Sequence, residues 1–296
     1  SPMALSLHKN PSKMVQLTKS SNNLSISTRA IGLKSLRSWR LNMADFMETL
    51  IEEAFERVKS GYYRVSQRLN FPRLSFKEAI VNCQHAPVIA EIKPFSPSRG
   101  LLRYVTSPGK VAKAMEAGGA VGISVLTEPK RFRGSLQTLS QVKESVSIPV
   151  LMKDVIVDCV QIETAANIGA DAVLLIYGVA ADRVDELIRF AHTLGLEVLL
   201  ETHTIEEFRA ALKTEADMVG VNNRDFKTMK VDLHVTARIL AEVGPTDRIV
   251  VSESGIETAD HVRFLRKCGA HAFLVGSSIM LADDVEGKVR ELVMAL

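Results

Sequence analysis

The sequence predicts a (β/α)8 barrel with an extra helical segment before its first strand. Eight short apolar runs recur at intervals of about 20 to 35 residues, amphipathic patterns of helical period separate them, and many of these patterns end on glycine. Eight strands alternating with helices are typical of this barrel, and 296 residues suffice to build one. An open doubly wound sheet is the alternative, but it usually has a glycine-rich turn after its first strand and fewer units.

The predicted elements follow in a regular order. From residue 41 to about residue 69, apolar residues recur at helical spacing and acidic residues come early, which predicts a helix with an acidic N-terminal end. This helix could cap the barrel or cover its mouth, and both placements stay open. The eight predicted strands are VIAEIKP at 88–94, GISVLTE near 122, PVLMKD near 149, AVLLIYG near 172, EVLLETH near 197, MVGVNN near 218, RIVVSES near 248 and AFLVGSS near 272. The sequence contains neither a GxGxxG motif nor a P-loop.

Residues 1–40 differ in composition from the rest of the chain. They are rich in Ser and contain four Lys and three Arg but no Asp or Glu. Three interpretations of this arm stay open: a targeting peptide, a disordered basic tail, or residues that are not native to the protein. We treat residues 41–296 as a single barrel domain with an N-terminal helical extension. Because the arm supplies the positive charge, the net charge of +3 gives no reason to expect nucleic-acid binding by the folded domain.

The composition argues against several classes of protein. The chain is 46% hydrophobic and 24% charged, as in ordinary globular proteins, and no apolar stretch approaches the roughly 20 residues that span a bilayer. We therefore expect a cytoplasmic protein without a membrane partner, although residues 1–40 leave organellar targeting open. Cys83, Cys159 and Cys268 lack CxxC spacing, and no Asp/His cluster has ligand spacing, so we expect neither a disulfide nor a metal site.

Charged residues stand at the C-terminal tips of the predicted strands. These residues are Glu91, Lys93, Lys153, Glu201 and Glu253. A lone ion in a buried parallel sheet is costly unless it is paired or used. The C-terminal strand ends of such a barrel carry the active site, so these groups predict a catalytic centre. The alternative is a ring of ion pairs that only closes the barrel, but burying that many ions for stability alone is unfavourable. His203 is the histidine closest to a strand tip.

The last two predicted strands are followed by turns suited to holding a phosphate group. They end in ESGI and VGSS, which contain Ser254, Gly255, Gly276 and Ser277. Backbone N–H groups in such turns, with a helix dipole behind them, bind phosphate well, and barrels often place this site after strands seven and eight. The segment PFSPSRG adds Ser96, Ser98 and Arg99 as further donors. The alternative is that the glycines only permit tight turns and the serines only cap helices.

Seven segments form a combination that is more specific than any one of them. They are IAEIKPFSPSRG, ISVLTEPKRFRGS, LMKDVIV, ADAVLLI, GVNNRDF, VSESGI and FLVGSSIM. Together they resemble indole-3-glycerol phosphate synthase of tryptophan biosynthesis, over about residues 70–296 and not over residues 1–40. The resemblance implies closure of 1-(2-carboxyphenylamino)-1-deoxyribulose 5-phosphate to indole-3-glycerol phosphate, with loss of carbon dioxide and water. It implies general acid–base catalysis without a cofactor.

The resemblance also implies roles for the charged residues. Lys153 matches the general acid that protonates the substrate ketone, and desolvation or neighbouring cations can lower the pKa of such a lysine. Glu201 matches the glutamate of the dehydration step, and Lys93 matches the lysine that faces the anthranilate carboxylate. Glu91 would orient these lysines, and Glu253 would hold Lys153 or the polar part of the substrate.

Further matches concern the hydroxyls and the phosphate of the substrate. Asn222 matches the asparagine that hydrogen-bonds substrate hydroxyls. Arg224 and Asp225 follow it, either as substrate ligands or as a pair behind the site. The residues that match the phosphate contacts are Ser96, Gly255, Gly276 and Ser277.

An apolar wall is needed to clamp the aromatic ring of the substrate. The residues that match family positions lining this wall are Phe132, Leu174 and Leu274, and each is equally suited to the core. One departure from the family pattern is Val155, where a phenylalanine is common, and a smaller side chain there should loosen the ring pocket. Phe226 or Tyr177 could compensate.

Two other functions remain as alternatives. One is a different phosphate-binding barrel, such as a sugar-phosphate isomerase or an aldolase with Lys153 as a Schiff-base nucleophile. The other is a catalytically silent barrel kept as a binding partner. The expected partner is a phosphorylated small molecule; other enzymes of the tryptophan pathway are conceivable partners that the sequence does not imply.

Overall fold

Eight parallel strands close into a barrel in the computed structural model, which describes residues 45–66 and 68–296. The strands are β1 (Val88–Ile92), β2 (Gly122–Leu126), β3 (Val150–Lys153), β4 (Ala172–Ile176), β5 (Glu197–Thr202), β6 (Met218–Asn222), β7 (Ile249–Glu253) and β8 (Ala272–Val275). Each strand pairs in parallel with the next, and β8 pairs with β1. The predicted (β/α)8 barrel and its eight strands are confirmed.

Helices surround the barrel and precede it. They are α1 (Asp45–Ser60), α2 (Phe76–Val81), α3 (Pro108–Ala117), α4 (Leu136–Lys143), α5 (Cys159–Asn167), α6 (Tyr177–Ala180), α7 (Val184–Thr193), α8 (Ile205–Ala211), α9 (His234–Val243), α10 (Ala259–Lys267), α11 (Ser277–Leu281) and α12 (Val285–Val293). Polar side chains fix several helix starts; Asp158, for example, begins α5 with a complete capping box. Within the described ranges, no helix is long and apolar enough to cross a membrane.

The strands are buried on both faces and build two apolar cores. Along β4, Leu174 and Ile176 belong to the cluster inside the barrel, whereas Val173 and Leu175 belong to the cluster that joins the strands to the outer helices. This alternation follows from the two-residue period of a strand. Because the interior is packed with apolar side chains, polar groups gather where the strands end.

Helix α2 closes the barrel at the N-terminal ends of the strands. Phe76 and Ile80 pack into the interior cluster, and Phe76 lies so close to Gly122 that a Cβ atom there would overlap its ring. Glu197, the first residue of β5, holds the start of this helix, because its carboxylate accepts hydrogen bonds from Ser75 Oγ at 2.5 Å and from Phe76 N at 2.8 Å. The opposite end, where the C-terminal strand ends meet, is the barrel mouth.

Helix α1 packs on the mouth side of the barrel. Arg57 donates to Glu128 Oε1 at 3.1 Å and to Asp154 Oδ1 at 3.4 Å, and these two acids lie just beyond the ends of β2 and β3. The helix ends at Ser60, earlier than the predicted limit near residue 69, because Gly61 takes a left-handed conformation with φ of +82°. Residues 41–44 of the predicted helix and the arm at 1–40 lie outside the described residues, so the domain division stays a prediction.

Candidate active site

Lys153 lies at the centre of the barrel mouth between two buried glutamates. Its Nζ atom is 3.1 Å from Glu201 Oε2 and 2.9 Å from Glu253 Oε2. The lysine side chain is 19% exposed, whereas those of the two glutamates are 2% and 1% exposed. Strands β3, β5 and β7 each contribute one of these residues, so the structure brings together three strand tips that are far apart in sequence.

Lys153, Glu201 and Glu253 shift one another's pKa values. Burial alone would lower the pKa of Lys153, but the carboxylates of Glu201 and Glu253 outweigh burial and raise this pKa above its ordinary value. The expectation from the sequence that desolvation or neighbouring cations lower the pKa of Lys153 is therefore wrong. Burial would raise the pKa of Glu201, but Lys153 holds it well below its usual range. Burial raises the pKa of Glu253 to about 8, although Lys153 acts in the opposite direction.

A second ion pair joins Glu91 and Lys93 at the end of β1. Lys93 Nζ is 2.6 Å from Glu91 Oε1, and the glutamate is buried. Gly276 makes room for this pair, because a Cβ atom there would lie 2.5 Å from Glu91 Oε1 and 3.0 Å from Lys93 Nζ. The Glu91 charge also contributes to the raised pKa of Lys153. The five predicted strand tips thus form one electrostatic cluster.

A glycine in β6 allows Glu253 to reach Lys153. A Cβ atom on Gly220 would overlap Glu253 Oε1 and would lie 3.3 Å from the Cα atom of Glu201. Gly220 stands opposite Glu201 in the strand register. The missing side chain therefore supplies the space in which the carboxyl group of Glu253 lies.

Substituting Gly220 by Ala should lower turnover by about 10- to 100-fold, because the added methyl group displaces the Glu253 carboxyl and misplaces Lys153. Steady-state kinetics on the purified variant would measure this effect. The matched control is Gly109→Ala in α3, where a Cβ atom would crowd the side chain of Ser145 and touch the backbone oxygen of Gln141 on the outside of the barrel. Equal kinetics for both variants would contradict the predicted role of Gly220.

Asn222 is directed at Glu201 in this structure. Its Nδ2 atom donates to Glu201 Oε1 at 3.0 Å, and its Oδ1 atom accepts from the backbone N of Arg224 at 3.0 Å. Arg224 also donates from Nη1 to the carbonyl oxygen of Met229, whereas Asp225 accepts from two backbone N–H groups in the following turn. Arg224 and Asp225 thus make separate contacts that shape the loop after β6.

The turn after β7 is held in a strained conformation. Ser254 has a φ of +70°, which is unfavourable for a residue with a side chain, and Gly255 follows with +81°. Asn223 supports this turn, because its Nδ2 atom donates to Ser254 O and to Ser252 Oγ, each at 3.1 Å. Its Oδ1 atom accepts from Thr236 Oγ1 at 2.8 Å. Sequence reasoning missed Asn223, although its place in VNNRD beside Asn222 was a signal.

The other predicted phosphate ligands lie after β1, in a short hairpin that pairs Phe95–Ser96 with Gly100–Leu101, and after β8 at the start of α11. Ser96 is buried, with its Oγ atom 3.1 Å from Ser98 Oγ. Gly276 precedes α11, which begins at Ser277. Arg99 is paired with Glu257 from the loop after β7, so its guanidinium is bound by a carboxylate in this structure.

Comparison of the sequence with known proteins identifies a family for this chain. The sequence model of the indole-3-glycerol phosphate synthase family matches residues 43–292. The chain belongs to this family.

Curated relatives support the same family. Indole-3-glycerol phosphate synthase of Methanopyrus kandleri is 42% identical over 251 residues, which cover 83% of this chain and 98% of the relative. The synthase of Methanocaldococcus jannaschii is 44% identical over 210 residues, covering 70% and 78%. That of Ruminiclostridium cellulolyticum is 43% identical over 242 residues, covering 81% and 91%.

Solved structures of lower identity share the barrel fold. N-acetylmannosamine-6-phosphate 2-epimerase from Clostridium perfringens aligns with a TM-score of 0.54 at 15% identity, covering 71% of this chain and 93% of that chain. Thiamine phosphate pyrophosphorylase from Pyrococcus furiosus aligns with a TM-score of 0.52 at 19% identity, covering 74% and 96%. At these identities the likeness shows the fold alone.

The residues that match the ring wall of the synthase family lie in two environments. Leu174 and Leu274 belong to the apolar cluster inside the barrel and are almost fully buried. Phe132 is half-buried in the loop after β2, where its backbone N donates to Glu128 Oε2 at 3.0 Å. Val155, the departure from the synthase pattern, is also buried. Phe226 packs against His203.

A buried network behind the mouth is a feature of this synthase-family chain that sequence reasoning missed. Asp154 accepts hydrogen bonds from Thr127 Oγ1 at 2.6 Å and Tyr63 Oη at 3.0 Å, besides its ion pair with Arg57. Glu128 accepts from Arg57 and from three backbone N–H groups of its own loop. The network connects α1 to the loop that follows Lys153. Its signal was the acid that ends each of the predicted strands GISVLTE and PVLMKD.

Proposed function

We propose that this chain closes the five-membered ring of 1-(2-carboxyphenylamino)-1-deoxyribulose 5-phosphate and releases indole-3-glycerol phosphate, carbon dioxide and water. The observation that carries this proposal is the cluster of Lys153 with Glu201 and Glu253 at the barrel mouth, beside the pair of Lys93 with Glu91. An ammonium group between two carboxylates supplies both an acid and a base within one site.

The first step joins the aromatic ring to the ketone. The ring carbon that bears the carboxylate attacks the ketone carbon, and the carbonyl oxygen takes a proton and becomes a hydroxyl. Lys153 provides this proton, and its raised pKa keeps it protonated at neutral pH as a general acid must be. Loss of carbon dioxide then restores the aromatic ring, and Lys93 accompanies the leaving carboxylate.

The second step removes the new hydroxyl as water and forms the indole double bond. Glu201 removes a proton from the carbon beside the ring nitrogen, since its lowered pKa keeps it ionised, and the Lys93 ammonium gives a proton to the departing hydroxyl. Glu253 positions Lys153, because its Oε2 atom is 2.9 Å from the lysine Nζ atom. Asn222 orients Glu201 by donating from Nδ2 to Oε1 at 3.0 Å, and a bound substrate would offer hydroxyl groups as alternative partners for this amide. The reaction takes up one proton from solvent when it is written from the carboxylate, and it involves no oxidation or reduction, so the step balances without a cofactor.

The remaining groups of the substrate fit the loops around the cluster. The phosphate is assigned to backbone and hydroxyl donors of three loops, namely Ser96, Ser254, Gly255, Gly276 and Ser277. The left-handed pair Ser254 and Gly255 turns the chain where a backbone N–H can face an anion. The aromatic ring is assigned to Phe132, Leu174 and Leu274.

A Schiff-base role for Lys153 is less favourable. A nucleophilic lysine must lose its proton, and sites of this type lower the lysine pKa with neighbouring cations or an apolar pocket. Lys153 is instead surrounded by carboxylates that raise its pKa. Borohydride treatment with the keto substrate should therefore leave no adduct.

The experiment that tests the proposal is an indole absorbance and fluorescence assay of the full chain with the carboxyphenylamino deoxyribulose phosphate. Formation of indole-3-glycerol phosphate with one carbon dioxide per product is the expected result. A folded protein that binds this substrate without forming the indole would overturn the proposed reaction. A borohydride-stable adduct would instead support the aldolase type of chemistry.

A further inference from the structure

His203 lies between the proposed base and a second carboxylate. It follows β5 directly, two residues after Glu201, so the two side chains leave the strand on the same side. Its Nε2 atom is 3.3 Å from Glu201 Oε1, and its Nδ1 atom is 3.8 Å from Glu207 Oε2. The imidazole is 14% exposed and packs on the ring of Phe226, with 4.4 Å between the ring centroids.

Glu207 holds the backbone of His203 as well as facing its ring. Its Oε2 atom accepts a hydrogen bond of 2.7 Å from His203 N. Glu207 stands in the first turn of α8, whose N-terminal end begins at Ile205. The histidine is therefore fixed by a backbone hydrogen bond and an aromatic contact, and its ring faces two carboxylates at ion-pair distance without a hydrogen bond to either.

Three side chains around Glu201 favour its ionised form, and a fourth opposes it. Lys153 from β3 contacts Oε2, while Asn222 from β6 and His203 contact Oε1. Glu253 from β7 is the exception, because its own charge would repel that of Glu201. His203 thus supplies the second positive charge beside Glu201.

We propose that His203, as an imidazolium, is a positioning residue that fixes the orientation of the Glu201 carboxylate, and that Glu207 keeps this imidazolium in place. This inference rests on the proposed function, which makes Glu201 the base. Burial would lower the pKa of His203, but its two carboxylate partners raise it to about 9. The imidazolium therefore persists through neutral pH and is lost as the pH rises through about 9.

The sign of the expected pH effect follows from this arrangement. Turnover requires the protonated ring, so kcat should fall on the alkaline side as His203 loses its proton. The pKa of Glu253, about 8, lies in the same pH range, and the His203 contribution is the part of this fall that depends on Glu207. Removing the charge of Glu207 takes away one of the groups that raise the His203 pKa, so Glu207→Gln should move this alkaline limb to lower pH by about one unit. If His203 had only a structural role, Glu207→Gln would change stability or KM and would leave the alkaline limb of the kcat–pH profile where it is.

The test combines kinetics with NMR on the full chain. His203→Gln should lower kcat about tenfold with little change in KM and should remove the limb near pH 9. In ¹⁵N-labelled protein, the titration midpoint of the His203 ring should fall by about one unit in Glu207→Gln. The matched control is Glu206→Gln, which alters an exposed carboxylate in the same helical turn and should change neither quantity.

The outcomes separate this inference from the proposed function. If Glu201→Gln is inactive while His203→Gln retains the parental kcat and pH profile, the positioning role of His203 is wrong and the proposed base is kept. An unchanged His203 titration in Glu207→Gln would overturn the part assigned to Glu207. If Glu201→Gln retains turnover, the proposed function of Glu201 fails, and the inference fails with it.

Discussion

Substituting Lys153 by Met is expected to lower turnover by about 10²- to 10⁴-fold, the range that a positioned general acid contributes. The variant keeps much of the side-chain volume but loses the proton that the ketone requires. It also removes the cation beside Glu253 and leaves Glu201 with His203 as its remaining cationic partner in the cluster, so the pKa of Glu253 should rise further. Single-turnover kinetics with the ring-closure substrate would measure the loss directly.

The chain offers a matched control for this substitution. Lys143 is also a buried lysine with a carboxylate partner, because its Nζ atom is 2.6 Å from Asp171 Oδ2. That pair lies at the N-terminal ends of the strands, where Asp171 also accepts from Val150 N. Lys143→Met should lower the free energy of unfolding by about 3 to 5 kcal/mol while the folded fraction keeps its turnover. Equal losses of turnover in the two variants would mean that Lys153 acts only through stability.

Replacing Glu201 by Gln is expected to lower turnover by about 10²- to 10³-fold. The amide has nearly the size of the carboxylate but cannot accept a proton at neutral pH, and it gives Lys153 and His203 a weaker partner. The KM should change much less than kcat, because the substrate phosphate is assigned to other loops. Initial rates and a thermal unfolding profile of the same sample would separate a loss of turnover from a loss of stability.

Glu197→Gln is the corresponding control on the same strand. Glu197 is four residues before Glu201 and contacts Ser75 and the start of α2 at the closed end of the barrel. This variant should be less stable and keep near-parental turnover. Near-parental turnover in Glu201→Gln would remove the assignment of Glu201 as the base.

Periodicity was sufficient to predict the barrel, because each strand is a short buried apolar run between amphipathic helices. The charged tips were equally visible, since ions such as Lys153 are conspicuous at the end of an apolar run. The end of α1 was predicted too late, because the apolar pattern continues through Tyr62 and Tyr63 while Gly61 turns the backbone. A local conformational preference at one residue thus overrode the longer pattern.

Other features of the site depend on distances across the fold. The space that Gly220 leaves for Glu253 could not be predicted, because it depends on the register between β6 and β7. The pairing of Arg57 with Asp154 joins residues far apart in sequence through a helix whose placement the pattern left open. The direction of the Lys153 pKa shift was also missed, since it depends on how many carboxylates surround the ammonium group.

The closure of one barrel end by α2 determines how molecules reach and leave the cluster. Phe76 and Ile80 fill the interior at that end, and apolar side chains such as Leu199 continue the packing toward Lys153. In the part of the chain that the structure describes, the closed end is therefore not a route for the substrate, carbon dioxide or the indole product, which leaves the mouth for all three. A new substrate cannot load behind a departing product, so each catalytic cycle must empty the mouth before the next begins.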